Sequence, residues 1–364
     1  MDKIFYFFLG TTAELIRIAP VIKELKKRKI KYKLIFSGQT KIKIDEIKDY
    51  VGPIKPTIIF NEKSNKYSTL LFMFWAIRTF FKGLYVLGKE FKHQSKNNIY
   101  FVIYGDPVST SIGAIIAKIY GIKIVHLESG DMSFNLFEPF PEEICRNINI
   151  RVADILFPPS KWAENNLKNI HKKKINTKFN TLLESFYWFS KIKTPKRKRL
   201  ENKKYYILIL HRQEHILWGK KWSSQVVEQL VRYADKNITC VIFKHPFVVN
   251  EFNRLIKESI IDKKRLVILP YVPYAEFLRI LRDSEYIVTD GATNQFEAYL
   301  LGKPCLLLRK YTEQIEGLGK NVVLSKGDNQ VIKKFIRNYK KYETRPVNTT
   351  VKPSKIIVNN LIKL

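Results

Sequence analysis

Short apolar runs alternate with longer amphipathic stretches along the whole chain, the pattern of β-α units with parallel strands. In the first half, Ile4 to Leu9 leads through Gly10-Thr11-Thr12 into a helical pattern ending near Arg28, and Tyr32 to Phe36 follows as a strand. Ile99 to Tyr104, Ile122 to Leu127 and Asp154 to Phe157 read as further strands, each with helical sequence after it. The second half repeats the plan at Tyr205 to Leu210, Thr239 to Phe243, Leu266 to Leu269, Tyr286 to Val288 and Cys305 to Leu308. The pattern predicts an α/β fold of two Rossmann-like domains, with parallel sheets whose carboxyl ends face an interdomain cleft. The polar, basic stretch 191–204 carries a proline and reads as a linker. The expected domains are then 1–190 and 205–345, and residues 346–364 form a C-terminal segment for which a return to the first domain is open.

Residues 70–92 place Leu, Phe, Trp, Ile, Tyr and Val beside Arg78, Lys82, Lys89 and Lys92. The uninterrupted apolar run, Leu70 to Ile77, is short of the about 20 residues that span a bilayer. A helix packed on the first sheet is expected, and a basic, aromatic helix lying in a membrane interface is the alternative.

Composition changes the picture in one respect. With 65 Lys and Arg against 33 Asp and Glu, the net charge is +32, a field that draws phosphorylated ligands, anionic lipid or nucleic acid. Lysine is spread along the chain and no nucleic-acid-binding motif is evident, so no specific nucleic acid is expected. At 364 residues and 45% hydrophobic positions, the chain is long enough for two cores. The widely spaced Cys145, Cys240 and Cys305 fit neither a disulfide framework nor a metal cluster, and the apolar start at residue 4 reads as a strand rather than a signal peptide. A cytoplasmic protein is expected.

Candidate chemistry lies just past the predicted strands. Gly105-Asp106 follows one, Glu128-Ser129-Gly130 the next, and Pro141-Glu142-Glu143 opens a helix. In a chain this poor in acid, such carboxylates suit general acid/base work, where burial and mutual repulsion separate their protonation. Taken singly, each fits helix capping or a salt bridge equally well. The strand Tyr205 to Leu210 runs into His211-Arg212-Gln213-Glu214-His215, where a histidine can shuttle a proton and an arginine can hold a phosphate. Asp290-Gly291-Ala292-Thr293 precedes a helix whose start can cradle a diphosphate.

In this order GTTAELIRIAPVIKEL, FSGQT, YGDPVSTSIGAIIAKIYGIKIVHLESG, PFPEEICRNINIRVADILFPPS, ILHRQEH, TDGATNQFEAYLLGKPCLLLR and YTEQIEG resemble the UDP-N-acetylglucosamine 2-epimerase family over roughly residues 4–340. The resemblance implies a GT-B-like architecture, with nucleotide bound mainly by the second domain. It also implies proton abstraction at C2, expulsion of the nucleotide diphosphate, and re-addition or hydrolysis. By motif position the catalytic residues are Asp106, Glu128, Glu142 and His211. Arg212, Tyr271, Gly291, Ala292, Thr293 and Glu297 fall at nucleotide positions, and Thr12, Arg17 and Gln39 at sugar or phosphate positions. Where the family has Arg-Pro this chain has Thr12-Ala13, and Gln213 and Gln314 replace further arginines, which removes cationic phosphate contacts. After Gln39 the chain departs from the pattern of the regulatory site, so no allosteric activation of that kind is expected.

The expected activity is thus that of a nucleotide-sugar 2-epimerase serving surface polysaccharide or amino-sugar synthesis. The alternative is a GT-B glycosyltransferase with a lipid-linked or polysaccharide acceptor. No cofactor and no metal are expected, since the elimination route needs neither and the first loop lacks a dinucleotide fingerprint. The expected partner is a nucleotide-sugar substrate, with a homodimer and peripheral contact with an anionic membrane left open.

Overall fold

The computed structural model describes residues 3–60, 69–92, 94–212 and 219–364. Gln213, Glu214 and His215 lie outside the described residues. Two units emerge. The first gathers the chain up to Met132, Pro141–Trp188 and Thr350–Leu364; the second gathers Ser133–Phe140 and Phe189–Thr349.

The first unit holds a parallel sheet of β1 (Ile4–Leu9), β2 (Tyr32–Phe36), β3 (Ile58–Ile59), β4 (Ile99–Tyr104), β5 (Lys123–Leu127), β6 (Ile155–Phe157) and β7 (Lys173–Lys174), in the order β3-β2-β1-β4-β5-β6-β7. The second holds β8 (Tyr205–Ile209), β9 (Thr239–Phe243), β10 (Leu266–Leu269), β11 (Ile287–Thr289), β12 (Cys305–Leu307) and β13 (Val322–Leu324), in the order β10-β9-β8-β11-β12-β13. All pairings are parallel. Near-continuous Val, Ile, Leu, Phe and Tyr in the central strands follows from burial on both faces. In each sheet the order reverses at a central pair, β1 beside β4 and β8 beside β11. Ligands of open α/β sheets bind outside the carboxyl ends at such reversals.

Two segments bear on the domain limits that the sequence suggested. The stretch 191–204 is part of the second unit: Arg197 Nε pairs with Glu276 Oε1 at 2.5 Å, and Arg279 donates to Thr194 Oγ1 at 2.8 Å and to the Pro195 carbonyl at 2.9 Å. The final helix, Pro353–Ile362, belongs to the first unit. Its start is capped by Glu184, which accepts from Ser354 N at 2.7 Å and Oγ at 2.8 Å.

The helix Thr69–Lys92 has two apolar faces. Trp75, Leu87 and Phe91 enter the core built on β1 and β4, while Leu70, Met73, Phe74, Ile77, Phe81 and Tyr85 stay exposed. Its length and hydropathy alone suffice to cross a bilayer, which the short uninterrupted run did not suggest. The core face is what a single-pass span would have to surrender.

Candidate active site

The turn after β4 is built by buried polar groups. His126 Nε2 and Asn149 Nδ2 lie 3.0 and 3.1 Å from the Gly105 carbonyl, and Gly105 takes φ +61°, a left-handed conformation that glycine adopts without strain. Burial pushes the His126 pKa down to about 4, which keeps the ring neutral. The turn thereby places Asp106, whose carboxylate pairs with Arg146. Arg146 also donates from Nη1 to Glu143 at 2.9 Å, so this one guanidinium joins the strand end to the helix Glu142–Val152. Glu142 opens that helix. Asp106 and Glu142 both act on the Cys145 thiol, which burial first, and then these charges, push up to about 12.

Glu128 follows β5 with φ +61°, a strained setting for a residue with a Cβ and one that recurs at functional sites. Arg17 Nη1 reaches both its carboxylate oxygens, at 2.9 and 2.8 Å. Gln39 accepts from Ser109 N at 2.9 Å, and Thr12 Oγ1 accepts from Lys43 N at 3.0 Å. These two hold the loop after β2 against the starts of neighbouring helices. The first unit therefore groups Asp106, Glu128, Arg17 and Glu142 with Arg146, which the sequence reading missed. Its signal was the spacing Glu143-x-x-Arg146, a helical ion pair.

In the second unit, buried Asp290 organises the end of β8. It accepts from His211 N at 3.2 and 3.1 Å and from Arg212 N at 2.9 Å, and its Oδ1 lies 3.1 Å from His211 Nδ1. The carboxylate thus fixes the ring and directs Nε2 away from itself. A Cβ on Gly291 would lie 2.7 Å from His211 Cε1, so glycine is what lets the ring sit there. His245 is close by; burial, then the neighbouring His211, lowers its pKa. Asp290 and His245 were not singled out from the sequence, where each looks like a turn residue after a strand.

The Arg212 side chain is spent on the protein: Nη2 reaches Glu313 at 3.1 Å and Nε the Asp290 carbonyl at 3.3 Å. Gly291 caps the helix Ala292–Leu301, which places Thr293 in its first turn. Glu297, 1% exposed, accepts from Tyr274 Oη at 2.8 Å and Asn294 Nδ2 at 2.9 Å. Tyr271 is exposed on the loop after β10. Among the described residues no cluster of His, Cys, Asp and Glu is arranged to hold a metal ion, and all three cysteines are free.

A family model described as UDP-N-acetylglucosamine 2-epimerase matches residues 84–353. A protein named UDP-N-acetylglucosamine 2-epimerase from Campylobacter jejuni is 29% identical over 343 residues, covering 89% of this chain and 85% of its own. Among solved structures, the UDP-GlcNAc 2-epimerase from Neisseria meningitidis bound to UDP-GlcNAc aligns with a TM-score of 0.83 at 26% identity, over 100% of both chains. The Methanocaldococcus jannaschii UDP-GlcNAc 2-epimerase, in complex with UDP-GlcNAc and UDP, shares the fold with a TM-score of 0.78 at 23% identity, over 99% of this chain and 100% of that one. These relatives carry the epimerase name and lend nothing to the glycosyltransferase alternative. The chain belongs to the UDP-N-acetylglucosamine 2-epimerase family, nucleotide-sugar 2-epimerases of GT-B-like α/β fold.

Proposed function

We propose that this enzyme removes the C2 proton of a nucleotide-activated N-acetylated sugar, expels the diphosphate, and completes the reaction by re-addition or hydrolysis. The observation that carries this reading is the grouping of Asp106 and Glu128, each held by an arginine, at the carboxyl ends of β4 and β5. Elimination needs a base at C2 and acid groups that assist departure at the anomeric carbon; Asp106, Glu128 and Glu142 supply them. His211, oriented by Asp290, supplies a proton or hydrogen bond to the leaving phosphate. The helix start at 291–293 faces the diphosphate, and Glu297 and Tyr271 serve the nucleoside. Arg17, Thr12 and Gln39 serve the sugar side, Arg17 through Glu128. Arg212 supports the loop rather than binding phosphate, because its guanidinium is already committed to Glu313. Incubation with nucleotide sugars in deuterated water tests the reading. Deuterium at C2 of recovered sugar supports it; acceptor-dependent nucleotide release without exchange sinks it.

We propose a cytoplasmic location for this activity. The exposed face of the helix Thr69–Lys92 supports peripheral contact with an anionic bilayer. Leu70, Phe74, Ile77, Phe81 and Tyr85 recur at three- and four-residue steps with exposed Arg78, Lys89 and Lys92 beside them, and the +32 net charge favours an anionic surface over a second copy of a like-charged chain. Co-sedimentation with phosphatidylglycerol vesicles, but not phosphatidylcholine vesicles, is expected and should weaken with salt. A dimer in sedimentation velocity that Phe81→Glu splits, with no vesicle binding, would overturn this in favour of self-association.

A further inference from the structure

The first unit contains an open cavity of about 250 Å³ that shares no lining residue with the candidate active site. It lies between the second half of the helix Thr12–Lys27 and the start of the helix Pro353–Ile362. Lys23 and Lys27 line it from the first helix, Lys352 and Lys355 from the second. None of these four ammonium groups has a carboxylate at ion-pair distance among the described residues; Lys352 acts on Glu184 through its field alone. The Lys23 ammonium stands 4.3 Å above the Tyr50 ring, a cation–π contact that holds it at the cavity wall, and that ring packs on Trp188 with centroids 4.8 Å apart. Neighbouring Lys26, by contrast, is committed to the Val51 and Pro53 carbonyls at 2.8 and 3.0 Å.

Two carboxylates, Glu24 and Glu184, complete the charged lining. Glu24 Oε1 accepts from Arg28 Nε at 2.7 Å, which offsets its charge. Glu184 caps the terminal helix through Ser354 N and Oγ at 2.7 and 2.8 Å. A carboxylate offers about four lone-pair sites, so each can accept a further hydroxyl. The excess of cations draws an anion into the cavity, but a bare anion would also face the two carboxylates. A phosphate joined to a hydroxyl-bearing ring meets both sets of groups: the phosphate takes charge-assisted hydrogen bonds from the ammonium groups, and the hydroxyls donate to the carboxylates. The volume is below the roughly 300–1,000 Å³ of pockets for drug-sized molecules, which suits one phosphorylated ring rather than a nucleotide sugar.

We propose that this cavity is a second binding site, for a compact phosphorylated sugar, built by Lys23, Lys27, Lys352 and Lys355 over Glu24 and Glu184.

Calorimetry with glucose 6-phosphate, inorganic phosphate and glucose as probes tests this, run with UDP in excess so that the diphosphate seat of the candidate active site is filled. Glucose 6-phosphate should bind about 10-fold or more tightly than inorganic phosphate, the gain from hydroxyl hydrogen bonds of about 1 kcal/mol each, and glucose alone should not bind. All four lysines are exposed, so binding should weaken with salt. Lys27→Met and Lys355→Met should each weaken it about 10-fold, the loss of one charge-assisted hydrogen bond, with UDP affinity and the thermal midpoint of the unliganded protein unchanged. Lys257→Met, which removes an exposed lysine of the second unit, should leave it as in the wild type. No binding of glucose 6-phosphate, equal affinity for inorganic phosphate, loss of the signal in excess UDP, or an equal effect of Lys257→Met overturns the proposal. C2 exchange does not enter these measurements, so failure of the epimerase reading is separable from failure of this site.

Discussion

Arg17 brings a single guanidinium nitrogen, Nη1, to both carboxylate oxygens of Glu128, 111 residues away in sequence, at 2.9 and 2.8 Å. Burial works against the arginine's charge, yet Glu128 first, and then Tyr104 and Asp106, raise its pKa above the ordinary value. The arginine therefore keeps its charge. Both side chains are largely buried, 13% and 9% exposed, so removing the cation strands a carboxylate that water cannot reach. Arg17→Met should cost about 3 kcal/mol, the scale for breaking a buried pair. Because one nitrogen makes both contacts, Arg17→Lys should retain most of that stability. Urea denaturation of the two variants checks the difference.

The carboxylates themselves should matter through chemistry more than stability. Asp106→Asn and Glu142→Gln keep shape while removing the charge and proton, and each should lower turnover by roughly 10²-fold in a protein with unchanged circular dichroism. Asp106→Asn also loosens the hold of Arg146 on the turn, so it should show the larger change in thermal midpoint. Near-normal turnover in both variants would remove these residues from the acid/base set.

The strand–helix alternation was legible because buried parallel strands leave long apolar runs. Ile4–Leu9, Ile99–Tyr104 and Thr239–Phe243 stand where the sequence placed them. The short strands Ile58–Ile59, Lys173–Lys174 and Val322–Leu324 were not, since two or three residues at a sheet edge carry no periodicity to read. The same limit applies to the site. Asp106, Glu128 and His211 could be picked out as polar residues at strand ends, but what each touches depends on closures over tens of residues. Arg146 looked like one more cation on a helix, and Asp290 like a turn former. Arg212 shows the complementary limit: an arginine beside a candidate histidine suggests a phosphate site, and nothing local in the sequence reveals that Glu313, from a distant loop, also lies on its guanidinium.

Glu297 separates stability from recognition. Its two oxygens accept from Tyr274 and Asn294, so Glu297→Ala should cost about 1–3 kcal/mol of folding stability by stranding both donors. Glu297→Gln can still accept from Asn294 through its oxygen and donate to the Tyr274 oxygen, and should fold nearly as well. If the carboxylate also receives ribose hydroxyls, the glutamine variant should nonetheless bind UDP more weakly by about 1–3 kcal/mol. Unchanged affinity in calorimetry would leave Glu297 a purely structural residue.

Glu14 predicts a pH dependence of stability. Burial raises its pKa from 4.5 to about 7, against the lowering effect of hydrogen bonds from Thr11, Gly10 and Thr110. A folded-state value above the unfolded one means that the native state holds a proton the unfolded chain has lost. The resulting stabilisation is fully present below about pH 4.5 and is lost as the pH rises through about 7. Glu14→Gln should abolish that slope, so wild type and variant should diverge in denaturant midpoint between those two pH values. Parallel midpoints across the range would refute the buried, protonated state.

The helix Thr69–Lys92 makes opposite demands on neighbouring aromatic residues. Trp75 is 5% exposed and lies in the core with Phe91 and Leu87, whereas Phe81 is 64% exposed. Truncating the tryptophan removes a large buried ring, and Trp75→Ala should cost about 3–5 kcal/mol, as large-to-small core changes do. Phe81→Glu leaves that core untouched and replaces an exposed ring by a charge, so its effect on stability should stay within about 0.5 kcal/mol. The surface behaviour should reverse the order. On a bilayer the Phe81 change removes apolar burial and adds repulsion from anionic lipid, so vesicle binding should be lost in a fully folded protein. Thermal melts run beside vesicle co-sedimentation give both readings on the same samples. If Phe81→Glu unfolds the protein, the outer face of this helix is core in solution and cannot be a docking surface.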